Sequence, residues 1–498
     1  MNIKSILAKP FAKQVSSKVY KQSKNAIEVQ QKVFKKLIKQ AKNTEFGKDH
    51  HFSEIKTYDD YKKHVPIADY EDLKPYIEKV IDGKEDILWK GKPLYFAKTS
   101  GTTSGTKYIP LTKESMPTHI ESAKNALLMY INETKKVDFL EGKVIFLQGS
   151  PELKKKNGIN IGRLSGISAH YVPSYLTKNR LPSWKTNCIE DWETKVEAII
   201  DETINENMTL IGGIPSWVQM YFERIVARTG KKVGEVFPNF NLFVYGGVNY
   251  EPYRNKFENL IGRKVDAIEL YPASEGFIAY QDSQTEEGML LAINNGIFYE
   301  FIPAEEFFDE NPTRISLKDV KIDVNYVIIL STNAGLWGYN IGDTVKFVSL
   351  NPPRIVVSGR IKHFISAFGE HVIGKEVEDA INSQTIDTLI SVNEFTVAPQ
   401  ISPENGLPYH EWFIEFGKKP DNLEDFAKKV DQSLQEKNSY YYDLIVGKVL
   451  RPLKITLIET GGFNNYMKSV GKLGGQNKVP RLANDRKIAD ELLKFEEK

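Results

Sequence analysis

Short apolar segments that alternate with helical patterns constrain the fold of this chain more than any other feature. The segment "MTLIGGIPSWVQMYFERI" (208–225) begins as an apolar strand, breaks at Gly212 and Gly213, and places Pro215 where a new helix begins. A helical pattern precedes it. Its apolar positions are Ile189, Trp192, Val196, Ile199, Ile200 and Ile204. This order of helix, strand and helix predicts an α/β body.

Three further segments predict strands that are buried on both faces. Residues 241–247, 264–272 and 324–332 are almost continuously apolar, as a doubly covered sheet requires. Another amphipathic helix is predicted over 24–42. Its apolar positions are Ile27, Phe34, Leu37, Ile38 and Ala41.

The pattern changes after about residue 354, where Pro352 and Pro353 form a stiff boundary. We therefore expect a large N-terminal domain over 1–357 and a smaller, mobile α+β C-terminal domain over 358–498. The second domain is predicted to contain a helix, a strand, a helix and a strand, at about 374, 409–417, 421–436 and 448–459.

Composition narrows the class of partner. The charges of the 67 basic and 65 acidic side chains nearly cancel, at net +2. We therefore expect small-molecule ligands, and neither a nucleic-acid nor a membrane partner. We also expect a monomer. The single cysteine, Cys188, favours a reducing compartment. The N-terminus lacks a signal-peptide core, and the apolar runs are too short to span a bilayer. We expect a cytoplasmic protein.

The segment "YFAKTSGTTSGTKYIPLT" (95–112) concentrates small donors around two glycines. The small hydroxyl residues packed around these glycines are Thr99, Ser100, Thr102, Thr103, Ser104 and Thr106. It is not a Walker phosphate loop, because Gly101 and Gly105 enclose three residues instead of four and Lys107 follows a threonine. The same residues suit a solvated turn or a loop that binds phosphates through amides and hydroxyls. Composition alone leaves both open.

Two acidic residues follow strand patterns. In "YPASEG" (271–276), Ser274 and Glu275 come after a buried strand, at the edge where open α/β sheets bind ligands. Glu275 is a surface charge or, beside phosphates, a Mg²⁺ ligand. In "YNIGD" (339–343), Asp343 is expected in a tight turn after Gly342. It either caps that turn or accepts the ribose hydroxyls of a nucleotide.

The ordered set "SGTTSG", "YPASEG" and "YNIGD", with "GIPSW", "YGGVNYEP" and "GGQNKVPR" around it, resembles the plant auxin-responsive acyl acid-amido synthetases, the Gretchen Hagen family, and their bacterial relatives. That family is a branch of the adenylate-forming superfamily, which includes acyl-CoA synthetases and luciferase. The resemblance covers nearly the whole chain.

The resemblance implies ATP and Mg²⁺, and it implies a role for each matching residue. The phosphates would be held by Ser100, Gly101, Thr102, Thr103, Ser104 and Gly105, with Lys107 close by. Tyr271 and the Gly246–Gly247 turn would flank the adenine, and Ala273 and Ser274 would also belong to the ATP-binding residues. Glu275 would bind Mg²⁺ and Asp343 the ribose. Arg360 resembles the arginine after the ribose-binding strand, and Lys478 the lysine that meets the α-phosphate.

The implied reaction joins a carboxylic acid to an amino acid through an acyl-adenylate. Two alternatives stay open: a ligase that forms coenzyme A thioesters, and a nucleotide-binding protein without catalysis. His371 stands where many relatives have lysine, so any contribution of that lysine to phosphate binding is in question. The acyl pocket is expected along 116–130 and 163–175, with Tyr130, His170, Tyr171 and Tyr175 as core or pocket wall. The sequence does not specify the acid or the amine.

Overall fold

The structure is a computed structural model. It describes residues 3–100, 106–172, 178–189, 191–247, 250–361, 364–365, 372–386, 388–401, 403–446, 449–474, 478–483 and 485–497.

The chain forms two compact units. The first contains Met1–Val248, Ile261–Ile341 and Val345–Val356, and the second contains Asn249–Leu260, Gly342–Thr344 and Val357–Lys498. The C-terminal part of the chain thus shares its unit with two short segments from earlier in the sequence. The domain boundary predicted at 357/358 stays a prediction.

The helices are distributed along the whole chain. In chain order they are α1 Ile3–Lys24, α2 Ala26–Ala41, α3 Glu45–Asp49, α4 Tyr58–His64, α5 Tyr70–Ile81, α6 Met116–Thr134, α7 Leu164–Ala169, α8 Trp184–Asn187, α9 Trp192–Thr203, α10 Pro215–Thr229, α11 Val233–Val236, α12 Glu251–Ile261, α13 Gly374–Thr385, α14 Leu423–Lys437, α15 Ser439–Val446, α16 Gly462–Ser469 and α17 Lys487–Leu492. Short 3₁₀ helices lie at Asp138–Leu140, Ala304–Glu306 and Leu493–Phe495.

Most of the described strands belong to the first unit. In chain order they are β1 Tyr95–Ser100, β2 Thr106–Leu111, β3 Lys143–Phe146, β4 Lys154–Lys156, β5 Ile159–Gly162, β6 Arg180–Leu181, β7 Met208–Gly212, β8 Leu242–Gly246, β9 Asp266–Ala273, β10 Gly276–Tyr280, β11 Met289–Leu291, β12 Ile297–Pro303, β13 Ile315–Ser316, β14 Asn325–Thr332, β15 Tyr339–Leu350, β16 Pro353–Arg360, β17 Phe364–Ile365, β18 Val372–Ile373, β19 Ser391–Gln400, β20 Tyr409–Lys418 and β21 Lys454–Leu457.

The largest sheet has 12 strands in the order β13-β12-β14-β15-β16-β11-β10-β9-β8-β7-β3-β6. Its β6-β3-β7-β8-β9 part is parallel, and from β9 to β10 the pairing becomes antiparallel. A second sheet has the order β2-β1-β5-β4. Helices between the parallel strands confirm the predicted α/β body.

The predicted helices and strands of the first unit are present, but the prediction that the strand over 264–272 is buried on both faces is wrong, because β9 is largely half-buried. The helix predicted over 24–42 is α2, Ala26–Ala41, whose Phe34 and Leu37 are buried, although Ile27 is exposed. The segment 208–225 forms β7 and then α10, and Pro215 lies in the first turn of that helix, where its missing N–H costs nothing.

A buried polar group ties the first helix to the core of the first unit. Arg354 holds Asp282 with two hydrogen bonds, at 3.0 Å from Nε to Oδ1 and 2.8 Å from Nη2 to Oδ2. Tyr20, on α1, donates its hydroxyl hydrogen to the same carboxylate at 2.9 Å. Asp282 has no exposed side-chain surface, so its charge depends on these partners.

The second unit has its own core around the three-stranded sheet β19-β20-β21. The predicted helices at 374 and 421–436 are α13 and α14, and the strand predicted over 409–417 is β20. The sequence pattern missed β19, and β21 is shorter than the strand predicted over 448–459. Pro352 and Pro353 lie where β15 turns into β16.

None of the described helices combines the length and the apolar character needed to cross a membrane. The edge strand β4 consists of Lys154, Lys155 and Lys156, and all three are exposed. Charged residues of this kind discourage pairing of a sheet edge with another chain.

Candidate active site

The glycine and hydroxyl segment joins two antiparallel strands. Strand β1 ends at Ser100 and β2 begins at Thr106, and these two residues are paired. The side chains of Ser100 and Thr106 are outside the described part of the chain. So are Gly101, Thr102, Thr103, Ser104 and Gly105. Lys107 is described: its ammonium lies 5.4 Å from the centre of the Tyr70 ring. The phosphate-binding role of this segment stays a prediction.

The "YPASEG" segment is a tight hairpin. Strand β9 ends at Ala273, strand β10 begins at Gly276, and these two residues are paired, so Ser274 and Glu275 form the turn. Tyr271 and Ser274 are buried, whereas Glu275 is partly exposed. Ser274 and Glu275 thus follow the end of β9 as expected, and their predicted place at a ligand-binding edge of the sheet stays a prediction.

Two glycines lie directly beside this hairpin. Gly246 ends β8 and pairs with Leu270 of β9. A Cβ atom at Gly246 would lie 2.5 Å from the Leu270 carbonyl oxygen, so a larger residue would push the strands apart. Gly247 has φ +84°, a conformation that favours glycine. The structure therefore brings the Gly246–Gly247 turn next to the segment that carries Tyr271.

The prediction that Asp343 lies in a tight turn is wrong. Asp343 lies inside β15, and only Gly342, at φ +85°, departs from strand geometry. The Ile361 N–H donates to the Gly342 carbonyl at 2.7 Å, and Arg360 Nε lies 3.0 Å from Asp343 Oδ1. Pairing with the following strand thus holds in place the glycine that the sequence pattern assigns to a turn, and it brings Asp343 together with Arg360.

Lys478 lies among these charges. The protein around its ammonium disfavours the charged form and lowers the pKa to about 8. Asp343 and Glu378 oppose this shift, and Arg360 and Arg481 add to it. Because the residue as a whole is exposed to solvent, water screens part of this shift. The structure thus brings together Lys478, Asp343 and Arg360.

Arg481 belongs to this group although the sequence analysis did not select it. Its guanidinium pairs with Glu378 and Glu394, and its side chain is 14% exposed. The available signal was its position directly after "KVP", three residues from Lys478.

The aromatic residues expected near an acyl pocket have structural partners. Tyr130 donates to Asp266 at 2.6 Å, and Tyr171 donates to Tyr95 at 3.3 Å. His170 Nε2 lies 2.9 Å from the Pro151 carbonyl oxygen. Tyr175 lies outside the described residues, as does His371. These contacts agree with the expected role as core or pocket wall.

A buried histidine in the same segment was missed. His119, on α6, is 4% exposed, and neither ring nitrogen has a hydrogen-bond partner among the described residues. Burial lowers its pKa to about 4, so the ring is neutral at pH 7. A single histidine inside an amphipathic helix gives no sequence signal that separates it from a core residue.

The donor set at Glu275 fits Mg²⁺ that is shared with a nucleotide. Among the described residues, no group of three or more His, Cys, Asp or Glu side chains could hold a metal ion. Mg²⁺ commonly takes one or two carboxylates and completes its shell with water and substrate phosphates. A carboxylate in a hairpin turn, such as that of Glu275, is compatible with that arrangement, and its role as a Mg²⁺ ligand stays a prediction.

Three family models match the chain. They are described as the GH3 family N-terminal, central and C-terminal domains, and they match residues 15–188, 290–360 and 375–487.

Curated relatives align over nearly the full chain. The jasmonoyl-L-amino acid synthetase JAR4 of Nicotiana attenuata is 21% identical, over 92% of this chain and 91% of the relative. The indole-3-acetic acid-amido synthetase GH3.3 of Arabidopsis thaliana is 22% identical, over 97% and 94%.

Solved structures show the same fold. The GH3.15 acyl acid amido synthetase superposes with a TM-score of 0.79 at 17% identity, covering 95% of this chain and 94% of that one. A 2-hydroxyisobutyryl-CoA ligase in its postadenylation state reaches 0.56 at 12% identity, covering 96% and 90%.

Proposed function

This chain belongs to the GH3 family, and we propose that it is an ATP-dependent ligase that joins a carboxylic acid to an amino acid through an acyl-adenylate. The named relatives are amido synthetases of this kind. The substrates named for them are not carried over to this chain.

One observation carries the proposal. Asp343, Arg360 and Lys478 are far apart in the sequence, and the fold of the second unit brings them into one charged group. A carboxylate that can accept ribose hydroxyls, together with two cations that can face phosphates, matches the needs of nucleotidyl transfer.

In the first half-reaction, a carboxylate oxygen of the acid attacks the α-phosphorus of ATP. The bond from that phosphorus to the bridging oxygen breaks, and pyrophosphate leaves. Negative charge builds on the equatorial oxygens, and we propose that Lys478 and Arg360 stabilise it. No protein nucleophile takes part. Bound Mg²⁺, held by Glu275, would neutralise charge on the β- and γ-phosphates.

In the second half-reaction, the amino nitrogen of the amino acid attacks the activated carbonyl carbon. A C–N bond forms, the bond from carbon to the AMP oxygen breaks, the nitrogen loses a proton, and the products are the amide and AMP. Positioning of the two reactants accounts for much of the acceleration in such a step.

The residues of the first unit have binding roles in this proposal. The Gly246–Gly247 turn and Tyr271 are proposed to flank the adenine, and Lys107 is proposed to add a cation near the phosphates. We also propose that the C-terminal domain moves between an adenylating and a transferring pose, as mobile domains do in other enzymes that close around substrates.

A screen of carboxylic acids against amino acids tests the function. We expect release of pyrophosphate that depends on both the acid and ATP, and an amide product that mass spectrometry detects only when an amino acid is present. Reactions that contain ATP and an amino acid but no carboxylic acid give the background rate of pyrophosphate release. If no acid stimulates pyrophosphate release, the proposed adenylation is overturned, and a separate measurement of ATP binding tests the alternative of a nucleotide-binding protein without catalysis.

A thioester-forming ligase is the second candidate. It is favoured by the shared fold of the 2-hydroxyisobutyryl-CoA ligase, although its TM-score of 0.56 is below the 0.79 of the amido synthetase. The same screen with coenzyme A in place of the amine decides between them. A thioester without any amide would overturn our proposal.

A further inference from the structure

The guanidinium of Arg481 is fixed by contacts on several sides. Its Nε lies 3.2 Å from Glu378 Oε1, and its Nη1 pairs with the Glu394 carboxylate. The same Nη1 donates to the Phe395 carbonyl oxygen at 3.2 Å, and the guanidinium carbon lies 4.6 Å from the centre of the Phe395 ring. A planar cation held in this way has little freedom to move.

The backbone around Arg481 is also attached to β19. The Val397 N–H donates to the Arg481 carbonyl and the Ala483 N–H donates to the Val397 carbonyl, both at 2.9 Å. The Thr396 hydroxyl donates to the Pro480 carbonyl at 2.7 Å. The chain is therefore anchored two residues after Lys478.

We propose that Arg481 is a positioning residue for Lys478: its ion pairs with Glu378 and Glu394 hold the segment that presents the Lys478 ammonium. This inference rests on the proposed function, because the group that is positioned is the proposed adenylation lysine. Glu378 is on α13 and Glu394 is on β19, so Arg481 fastens this segment to two elements of the second unit.

Arg481 also balances charge around Lys478. Among the described residues, the charged groups that act on the ammonium are Asp343 from β15, Arg360 from β16, Glu378 from α13, and Arg481 itself. Loss of the Arg481 charge removes a repelling cation and leaves Glu378 uncompensated. Both changes favour the charged lysine, so we expect the pKa of Lys478 to rise.

The test compares Arg481→Met and Arg481→Lys with a matched control, Arg486→Met. Arg486 has similar contacts in the same unit, with Nη2 2.9 Å from Glu411 and Nε 3.0 Å from Asp490, and its side chain is 19% exposed. None of these contacts of Arg486 within the described part of the chain involves Lys478. Thermal unfolding of all three variants reports their loss of stability.

Two readouts separate positioning from stability. The first is acid-dependent pyrophosphate release, where we expect Arg481→Met to lower kcat at least about tenfold with little change in the KM for ATP. Arg481→Lys keeps the positive charge but loses the planar guanidinium, so its kcat should lie between those of wild type and Arg481→Met. The kcat of Arg486→Met should stay within about threefold of the wild-type value.

The second readout does not need catalysis. Acetic anhydride labels the deprotonated lysine, and mass spectrometry of the Lys478 peptide at a series of pH values gives the labelling midpoint. We expect that midpoint to move upward in Arg481→Met and to stay in place in Arg486→Met. Equal loss of kcat in both methionine variants with an unmoved midpoint would overturn the proposal.

The labelling result also separates this inference from the proposed function. If the wild type releases no pyrophosphate with any acid, the proposed function fails. An upward shift of the labelling midpoint in Arg481→Met would then still support the link between Arg481 and Lys478. An unmoved midpoint would overturn that link as well.

Discussion

The two units contribute candidate site residues of different kinds. In the first unit, the described groups depend on backbone geometry: a two-residue hairpin turn carries Glu275, and Gly246 allows two strands to approach closely. In the second unit, the candidate residues are charged side chains that form ion pairs with one another, such as Asp343 with Arg360. Substitutions in the first unit should therefore act mainly on binding and stability, and those in the second mainly on the rate and its pH dependence.

The largest effect is expected from Lys478→Ala. Removal of one preorganised cation should lower the rate of acid-dependent pyrophosphate release about a hundredfold, or about 2.7 kcal/mol. Because the ammonium is proposed to act in the transition state, the KM for ATP should change little. Lys478→Arg keeps a positive charge and serves as the control. A rate within about twofold of wild type for the alanine variant would remove Lys478 from the mechanism.

The next largest effect is expected from Glu275→Gln. Loss of the proposed Mg²⁺ ligand should lower the same rate at least about tenfold, which equals about 1.4 kcal/mol. Raising the Mg²⁺ concentration should restore part of the activity, because weaker metal binding is overcome by mass action. The exposed Glu287 provides a control as Glu287→Gln. A Mg²⁺ dependence identical to that of wild type would contradict the metal role.

The pH dependence should follow Lys478. Its pKa is lowered to about 8, so the ammonium is charged at pH 7 and loses its proton as the pH rises through 8. The adenylation rate should therefore fall as the pH rises through this lowered pKa, at a lower pH than an ordinary lysine would lose its charge. In Lys478→Arg the fall should disappear, because arginine stays protonated. A rate that rises steadily over this range in wild type would show that a different group limits the reaction.

A smaller effect is expected from Gly246→Ala. The new Cβ would lie 2.5 Å from the Leu270 carbonyl oxygen, so β8 and β9 must shift. We expect a loss of stability of about 1–3 kcal/mol and a KM for ATP raised by a few fold. Gly374→Ala is the matched control, since the nearest atom to its new Cβ is 3.8 Å away. An unchanged KM with a normal unfolding temperature would separate this turn from the nucleotide site.

Much of the fold could be predicted because the strongest signals are local. Strand β14 is buried at nearly every position, and α9 buries the apolar residues whose spacing defines its face. Strand β19 was missed because "SVNEFTVAPQ" mixes polar and apolar residues without a clear period of two, and its register with β20 is interrupted by shifts. Its presence depends on pairing with β20.

The candidate site was less predictable. Gly342 and Asp343 are common turn residues, yet pairing within a long strand decides their conformation. Arg481 could not be separated from a surface arginine, because its partners Glu378 and Glu394 are remote in sequence. Ion pairs between residues that are distant in the sequence produce no periodic pattern from which they could be predicted.

The buried group of Tyr20, Asp282 and Arg354 has a consequence for synthesis on the ribosome. Asp282 loses its exposure to water only if Arg354 is available as a counter-charge, and Tyr20 leaves the ribosome long before Arg354 is made. At roughly 5–20 residues per second, that delay lasts tens of seconds. During translation, the contact of the first helix with Asp282 can therefore be completed only after Arg354, near the end of the first unit, has been synthesised.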